Sequence, residues 1–261
     1  LGFKVNYKVL QAAHYGVPQS RWRLFVVGSR KNEFTFPQPT HRAKVIPNFT
    51  RGKELTFPSP EEDLFSNYPA AISVWEAISD LPYLENGGSK TDAKYKSLPN
   101  SDYQLLLRDG SPFLQNHETK FLREVNYERI KFLSEEGMNW THLPEALMPK
   151  NLKRMKAKYK GGVGAKTRFQ RLRKEGLFST IVTSPDPYWG AFIHPTQNRV
   201  ISVREAARAQ SFHDSIIFKG TLNSKYRQIG NAVPPILARA LGYNLHNALT
   251  FNKYAAKPHK F

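Results

Sequence analysis

Residues 23–29, RLFVVGS, run almost without a break through apolar side chains. A strand of that kind is normally covered on both faces of a larger sheet, and this constrains the chain more than any other stretch. Upstream, Phe3, Val5 and Tyr7 alternate with Lys4, Asn6 and Lys8, the period of a half-buried strand. The turn signal HYGVPQS lies between the two. Residues 1–30 therefore read as a strand pair, and nothing further along supplies the rest of a sheet. Leu1 stands where such a strand is already under way, as expected for a piece of something longer or for a processed or trimmed chain.

The remainder divides by texture. From residue 31 to about 195, Pro and Gly are frequent and helices few. Ser73 and Glu76 form a capping-box pattern opening a helix that carries Val74, Ala77, Ile78 and Leu81 on one face and ends at Pro82. A second helix is expected over 126–136, and 176–185 is strand-like. Ser202 and Glu205 repeat the capping box and start a helix through about Gln210. Its Val203, Ala206, Ala207 and Gln210 suit close packing, leaving Arg199, Arg204 and Arg208 for salt bridges. Then comes YRQIGNAVPPILARALG, residues 226–242. Proline at the first turn followed by Leu237, Ala240, Leu241 and Leu245 marks a packed helix. Packing does not explain Gly230 and Asn231. They are either a turn before that helix or a place where glycine permits close approach and asparagine offers a donor and an acceptor. The tail, 251–261, reads as frayed.

With 261 residues, 40% hydrophobic and 13% aromatic, the chain can bury a core in one large domain or two small ones. Its formal net charge is +18, and between positions 150 and 175 eleven basic side chains face one acidic residue, Glu175. That concentration, interleaved with aromatics and glycines, fits a polyanion; the plainer alternatives are a solvated basic face or a flexible loop. GGVGAKT lacks the spacing and the preceding strand of a phosphate loop. There are no cysteines, which excludes disulfides, thiolate metal sites and thiol nucleophiles within these residues, and the eight histidines are too scattered for a local metal motif. No apolar run is long enough to span a membrane.

Taken in order, VPQSRWRLFVVGS, RVISVREAARAQSFHDS and YRQIGNAVPPILARALGYNL resemble the eighth, ninth and tenth sequence blocks of the DNA cytosine-5 methyltransferase family. The gap of roughly 165 residues between the first two is where that family carries its target recognition domain, and Thr180-Ile181 resembles a recurrent pair in it. The resemblance implies an α/β fold: the last strands of a Rossmann-like methyltransferase sheet (1–30), a mixed, loop-rich recognition domain (31–218), and a tenth block with its helix packing back on the catalytic domain (219–250). It implies double-stranded DNA as partner and S-adenosylmethionine as cofactor, with no metal. Arg21 would meet a backbone phosphate and Arg23 O2 of a flipped cytosine, with Gln19 in support, since a ring inside a duplex cannot be attacked. Gly230, Asn231, Ala232 and Val233 would line the cofactor pocket. Arg168, Arg171 and Arg173 would read bases, because arginine on guanine is the commonest specific contact, while Lys160, Lys166 and Thr180 would help to hold the DNA.

The same resemblance exposes a gap. The family's chemistry needs a Pro-Cys nucleophile, a glutamate near the base and a glycine-rich cofactor loop, and this sequence contains none of them. The chain by itself is therefore expected not to methylate DNA. It would be the C-terminal part of a longer enzyme, or one subunit completed by an N-terminal catalytic partner. A non-catalytic DNA-binding module derived from the family is the alternative. The compact layout suggests a prokaryotic, cytoplasmic, DNA-associated setting such as restriction–modification.

Overall fold

The computed structural model describes residues 2–30, 34–43, 67–158 and 167–250. Strands β1 (Lys4–Gln11) and β2 (Trp22–Ser29) pair antiparallel, with Tyr7 opposite Val26 and Val9 opposite Leu24. A 3₁₀ turn, Ala12–Tyr15, joins them and closes on Gly16, whose φ of 81° lies in the left-handed region. The Gln11 side chain ties this corner by accepting the Arg21 N–H at 2.8 Å. Short helices follow: α1 (Val74–Ile78), α2 (Asp102–Arg108), α3 (Glu124–Phe132) and α4 (Lys150–Lys158). Between them β3 (Ser89–Lys90) pairs antiparallel with β4 (His117–Glu118). Helices α5 (Val203–Ala209), α6 (Leu222–Asn231) and α7 (Pro235–Thr250) close the described chain.

The architecture is mixed α/β with two small sheets, so no Rossmann-like sheet is assembled from the described residues. The run expected to be buried on both faces is covered on one. Phe25 and Val27 of β2 pack with Leu10, Phe34 and Phe36 against Leu237, Ala240 and Leu241 of α7. On the opposite face Val5, Tyr7, Val9, Leu24 and Val26 are exposed, Tyr7 at 75%. Both faces are apolar, but the described residues cover only one.

Both capping boxes form, at Ser73–Glu76 and Ser202–Glu205. The helix expected over 126–136 runs from Glu124 and stops at Phe132, where Leu133 leaves helical geometry. Segment 176–185, expected to be strand-like, joins no sheet: one parallel bridge links Phe178 to Gln19, and the backbone bends at Gly176 and at Thr183–Ser184. Gly230 and Asn231 are neither turn nor loop. They end α6, a helix whose signals were present in the Thr221 cap and in Leu222, Tyr226 and Ile229 at helical spacing.

The larger core gathers α1, α2, α3, α5 and α6 around Trp140, Phe169, Phe178 and Phe192. Helix α5 runs through its centre, and all seven of its residues are buried, three of them charged. Such burial is tolerable only if every charge is paired and hydrogen-bonded. Arg208 meets Asp80 on one side and Asp214 on the other, with Nη2–Oδ2 of Asp214 at 2.7 Å. Arg204 lies 3.6 Å from Asp214 and donates to the carbonyls of Gln115, His213 and Ile216. Arg199 grips both oxygens of Glu205, at 2.7 and 2.8 Å. Burial alone would raise the Glu205 pKa, but Arg199 overrides it and holds the carboxyl well below its usual range.

Two imidazoles sit beside this pair. His194 Nδ1 accepts the N–H groups of Thr196 and Gln197, both at 3.1 Å, and His117 bridges Ser202 and the Pro82 carbonyl. Burial pushes His194 down to about 3 and His117 to about 4, against Glu205, which favours the charged forms. The unfolded chain therefore takes up more protons than the folded one below about pH 6.5, so stability is whole above that value and falls as pH drops toward 3–4. Each histidine should contribute up to about 1.4 kcal/mol per pH unit across this window. Asparagine at 194 keeps an acceptor for the two N–H groups but does not titrate. The acid limb of urea-derived unfolding free energy should thus be shallower in His194→Asn than in the parent, and equal slopes would refute the assignment.

Candidate functional site

The three residues of Gln19-x-Arg21-x-Arg23 have different fates. Gln19 is fully buried; its amide donates to the Ala209 carbonyl and to Gln210 Oε1, at 3.1 and 2.9 Å, and its oxygen accepts the Ile181 N–H at 2.7 Å. Arg21, 5% exposed, donates at 3.2 Å to the carbonyls of Ile181, Gly230 and Ala232. Gln19 and Arg21 thus take both polar groups of Ile181, as a neighbouring strand would. They join the corner after β1 to segment 178–182, to the end of α5 and to the end of α6. Burial, then the neighbouring Arg23 charge, lowers Arg21 to about 10, which leaves it cationic at neutral pH. Three of its five N–H groups are spent on backbone carbonyls and Nε is buried without a partner, so the guanidinium is turned into the junction and away from the surface where the expected phosphate contact would lie.

Arg23 is exposed and donates to the Trp22 carbonyl at 2.7 Å; partial burial lowers its pKa. It is the arginine of the motif that faces outward. Thr180 is turned inward, its hydroxyl donating to the Ser20 carbonyl at 2.6 Å.

Gly230 is required by this seam. A Cβ there would lie 2.5 Å from the Val182 carbonyl carbon and 2.7 Å from the Thr183 nitrogen, backbone that cannot swing away. The close approach it permits is to the chain's own 182–183 segment. Asn231 and Val233 follow on the exposed side, while Pro234 is buried and α7 departs toward the hairpin. Among the described residues the Asn231 amide has no hydrogen-bond partner, which leaves its donor and acceptor for a ligand. The stretch 230–233 is thus held from behind by Arg21 through the Gly230 and Ala232 carbonyls.

The recognition arginines also separate. Arg171 is 1% exposed and donates to the carbonyls of Ile130, Leu133, His194 and Gln197 and to Asn198 Oδ1. The expected base-reading role is unavailable to it, because every donor is spent on holding loops together; burial lowers its pKa to about 10. Arg173 is exposed, its guanidinium lying over Gly137. Arg168 is half-buried with its guanidinium over the Tyr188 ring, 4.7 Å from the centroid. Lys160 and Lys166 lie outside the described residues. Among the described residues no cluster of side chains could hold a metal ion, and no helix is long and apolar enough to cross a membrane.

Comparison with known proteins gives a consistent picture. The family model for C-5 cytosine-specific DNA methylase matches residues 1–247. Similar proteins include DNA (cytosine-5)-methyltransferase 1A of Oryza sativa subsp. japonica, 35% identical over 95% of this chain and 17% of its own length. DNA (cytosine-5)-methyltransferase 1 of Mus musculus is 30% identical over 94% of this chain and 19% of its own. The chain thus spans less than a fifth of the length of these relatives. Since plant and mouse proteins match nearly all of it, the compact layout does not by itself single out a prokaryotic source. Among solved structures, a putative DNA modification methyltransferase encoded within a prophage of E. coli superposes with a TM-score of 0.58 at 19% identity, covering 95% of this chain and 61% of that one.

Two glycines test the seam by opposite signs. Gly230→Ala should lower the unfolding free energy by about 1–3 kcal/mol through overpacking against 182–183. Gly242→Ala, on the exposed side of α7 with nothing within 4 Å, should raise it by up to about 1 kcal/mol through helix propensity. Equal effects in urea titrations would contradict the seam.

Proposed function

This chain belongs to the C-5 cytosine-specific DNA methylase family, and from that premise we propose that it is the target-recognition part of an S-adenosylmethionine-dependent DNA cytosine-5 methyltransferase. In this reading residues 31–218 hold duplex DNA, Arg23 meets the target cytosine, and the lip at Asn231–Val233 forms one wall of the cofactor pocket. The observation that carries it is the separation within the eighth block: Gln19 and Arg21 are consumed in a buried junction, and that junction presents Arg23 and Asn231 outward with donors to spare.

The chemistry divides accordingly. The cofactor supplies the methyl group. A cytosine removed from the stack exposes O2, an acceptor that a guanidinium donor such as Arg23 can hold and neutralise as charge builds on the ring. Asn231 would bond a polar edge of the cofactor and Val233 cover an apolar one, which suits the unpartnered amide and the exposed isopropyl group. Arg21 keeps the corner that bears Arg23 and the lip at Asn231–Val233 in register. Arg168 and Arg173, with Lys160 and Lys166, supply cationic contacts to the DNA, and Thr180 and Arg171 act from inside by fixing the loops.

The nucleophile has to come from elsewhere, since the sequence contains no cysteine. We place it, with the glycine-rich cofactor loop, in an N-terminal region or partner subunit. The exposed apolar face of β1 and β2 supports this, because a sheet face with Tyr7 at 75% exposure is the kind of surface that another layer covers. A DNA-binding module without catalysis is the competing reading, and reconstitution separates the two.

The 261-residue chain should bind duplex DNA with strong salt dependence and transfer no methyl group. Combined with a segment carrying Pro-Cys and the glycine-rich loop, it should transfer one from S-adenosylmethionine to cytosine C5; failure of every such combination would favour the binding module. In the active assembly Arg23→Ala should slow methyl transfer about a hundredfold. Duplex affinity should stay within about twofold, as expected for a side chain that contacts the flipped base and not the DNA backbone. Parallel losses in both would reject the role of Arg23. Asn231→Ala should weaken cofactor binding about five- to tenfold by calorimetry, the worth of one or two hydrogen bonds; unchanged affinity would remove it from the pocket.

A further inference from the structure

Segment 178–190 begins at the buried junction and ends on an exposed aromatic. Ile181 is fixed by Gln19 and Arg21, as described. Eight residues on, Trp189 is 66% exposed at the end of a 3₁₀ turn, Pro187–Trp189, capped by the Asp186 carboxylate on the Tyr188 N–H at 2.9 Å. Tyr188 is anchored edge-to-face on Phe169, which is 1% exposed. Trp189 stands at 89° to Tyr188 with ring centroids 4.9 Å apart. Arg168 spans both rings, 4.7 Å from the Tyr188 centroid and 5.2 Å from that of Trp189. Among the described residues no carboxylate pairs with Arg168, and the Trp189 indole N–H has no partner.

A tryptophan held rigidly in solvent by a capped turn, with a guanidinium stacked over it, forgoes a large burial gain that the neighbouring core could have offered. Its chemistry matches a ligand that presents a flat π face beside negative charge. DNA does so where a nucleotide has left the stack: the base faces exposed at that step can stack on an aromatic ring, and an adjoining phosphate meets the arginine. The excess of basic side chains between 150 and 174 favours the same polyanion over a protein partner. Reach is also suitable. Eight residues of extended chain span at most about 28 Å, less than one turn of duplex, so Trp189 stays within one DNA footprint of the junction that carries Arg23.

We propose that Trp189, backed by Tyr188 and Arg168, is a stacking platform that takes a nucleobase at or beside the target step of bound DNA. The proposal rests on the reading of this chain as a DNA-binding methyltransferase part and adds a contact that the sequence blocks do not assign.

Four tryptophans are present, and Trp140 is buried, so fluorescence can single out Trp189 by difference. Titration of the full chain at low salt with a short duplex whose target step is opened by a mismatch or an abasic site should quench tryptophan emission, and Trp189→Phe should abolish that quenching while holding affinity within about twofold. Trp189→Ala should weaken binding about tenfold, the worth of one lost base stack, with the unfolding midpoint unchanged because the side chain is largely exposed. Quenching that persists in Trp189→Phe, or parental affinity in Trp189→Ala, overturns the platform while leaving DNA binding intact, and points to a protein contact instead. If the parent binds no duplex at any salt, the DNA-binding reading fails first and the platform with it.

Discussion

Two side chains of the eighth block, Gln19 and Arg21, hold the arrangement together. Through five hydrogen bonds to backbone and one to Gln210 they bind three segments that lie 160 to 211 residues away in sequence. Such long-range closures carry a large entropic cost, and a buried guanidinium on three carbonyls offsets part of it because charge-assisted bonds are about twice as strong as neutral ones. What the junction secures is geometry: the corner that presents Arg23 and the end of α6 that presents Asn231 are fixed to each other through the same Arg21. Lysine would not reproduce this, since one ammonium lacks the fork that reaches carbonyls of two separate segments.

Helix α5 applies the same principle at higher charge. Arg199, Glu205, Arg204, Arg208, Asp80 and Asp214 are all essentially buried, and they link the helix to loops at residues 80, 115, 197 and 214. An apolar replacement of equal volume could be as stable. Directional pairs, however, admit few alternative packings, which suits a core assembled from short helices and irregular loops. Arg171 does the same for the end of α3 and the loop at 194–198 without any carboxylate, relying on four backbone carbonyls and the Asn198 side-chain oxygen.

Local chemistry was legible in the sequence and long-range consequence was not. The capping boxes at Ser73 and Ser202 are contained within four residues each, and they form as read. The polar turns of α6 mask a helix whose apolar face is only Leu222, Tyr226 and Ile229, a weaker signal than the apolar pattern after Pro234. At the site, Arg21 and Arg23 are identical side chains two positions apart. One is buried because segment 178–182 and the end of α6 close over it, which no local pattern announces. Arg171 and Arg173 diverge for the same reason. Gly230 is compatible in sequence with either a turn or a close approach; what it approaches is the backbone of Val182 and Thr183, about fifty residues away, which no local pattern specifies.

The uncovered face of the hairpin has a colloidal consequence. Val5, Tyr7, Val9, Leu24 and Val26 form an exposed apolar surface of the kind through which sheets adhere to one another. In a chain with net charge +18, mutual repulsion keeps such surfaces apart at low ionic strength. Salt compresses that repulsion to a few ångströms and at the same time loosens any grip on a polyanion. Dispersion of the free chain and occupancy of its anionic partner are therefore governed by one variable, and both decline together as salt rises.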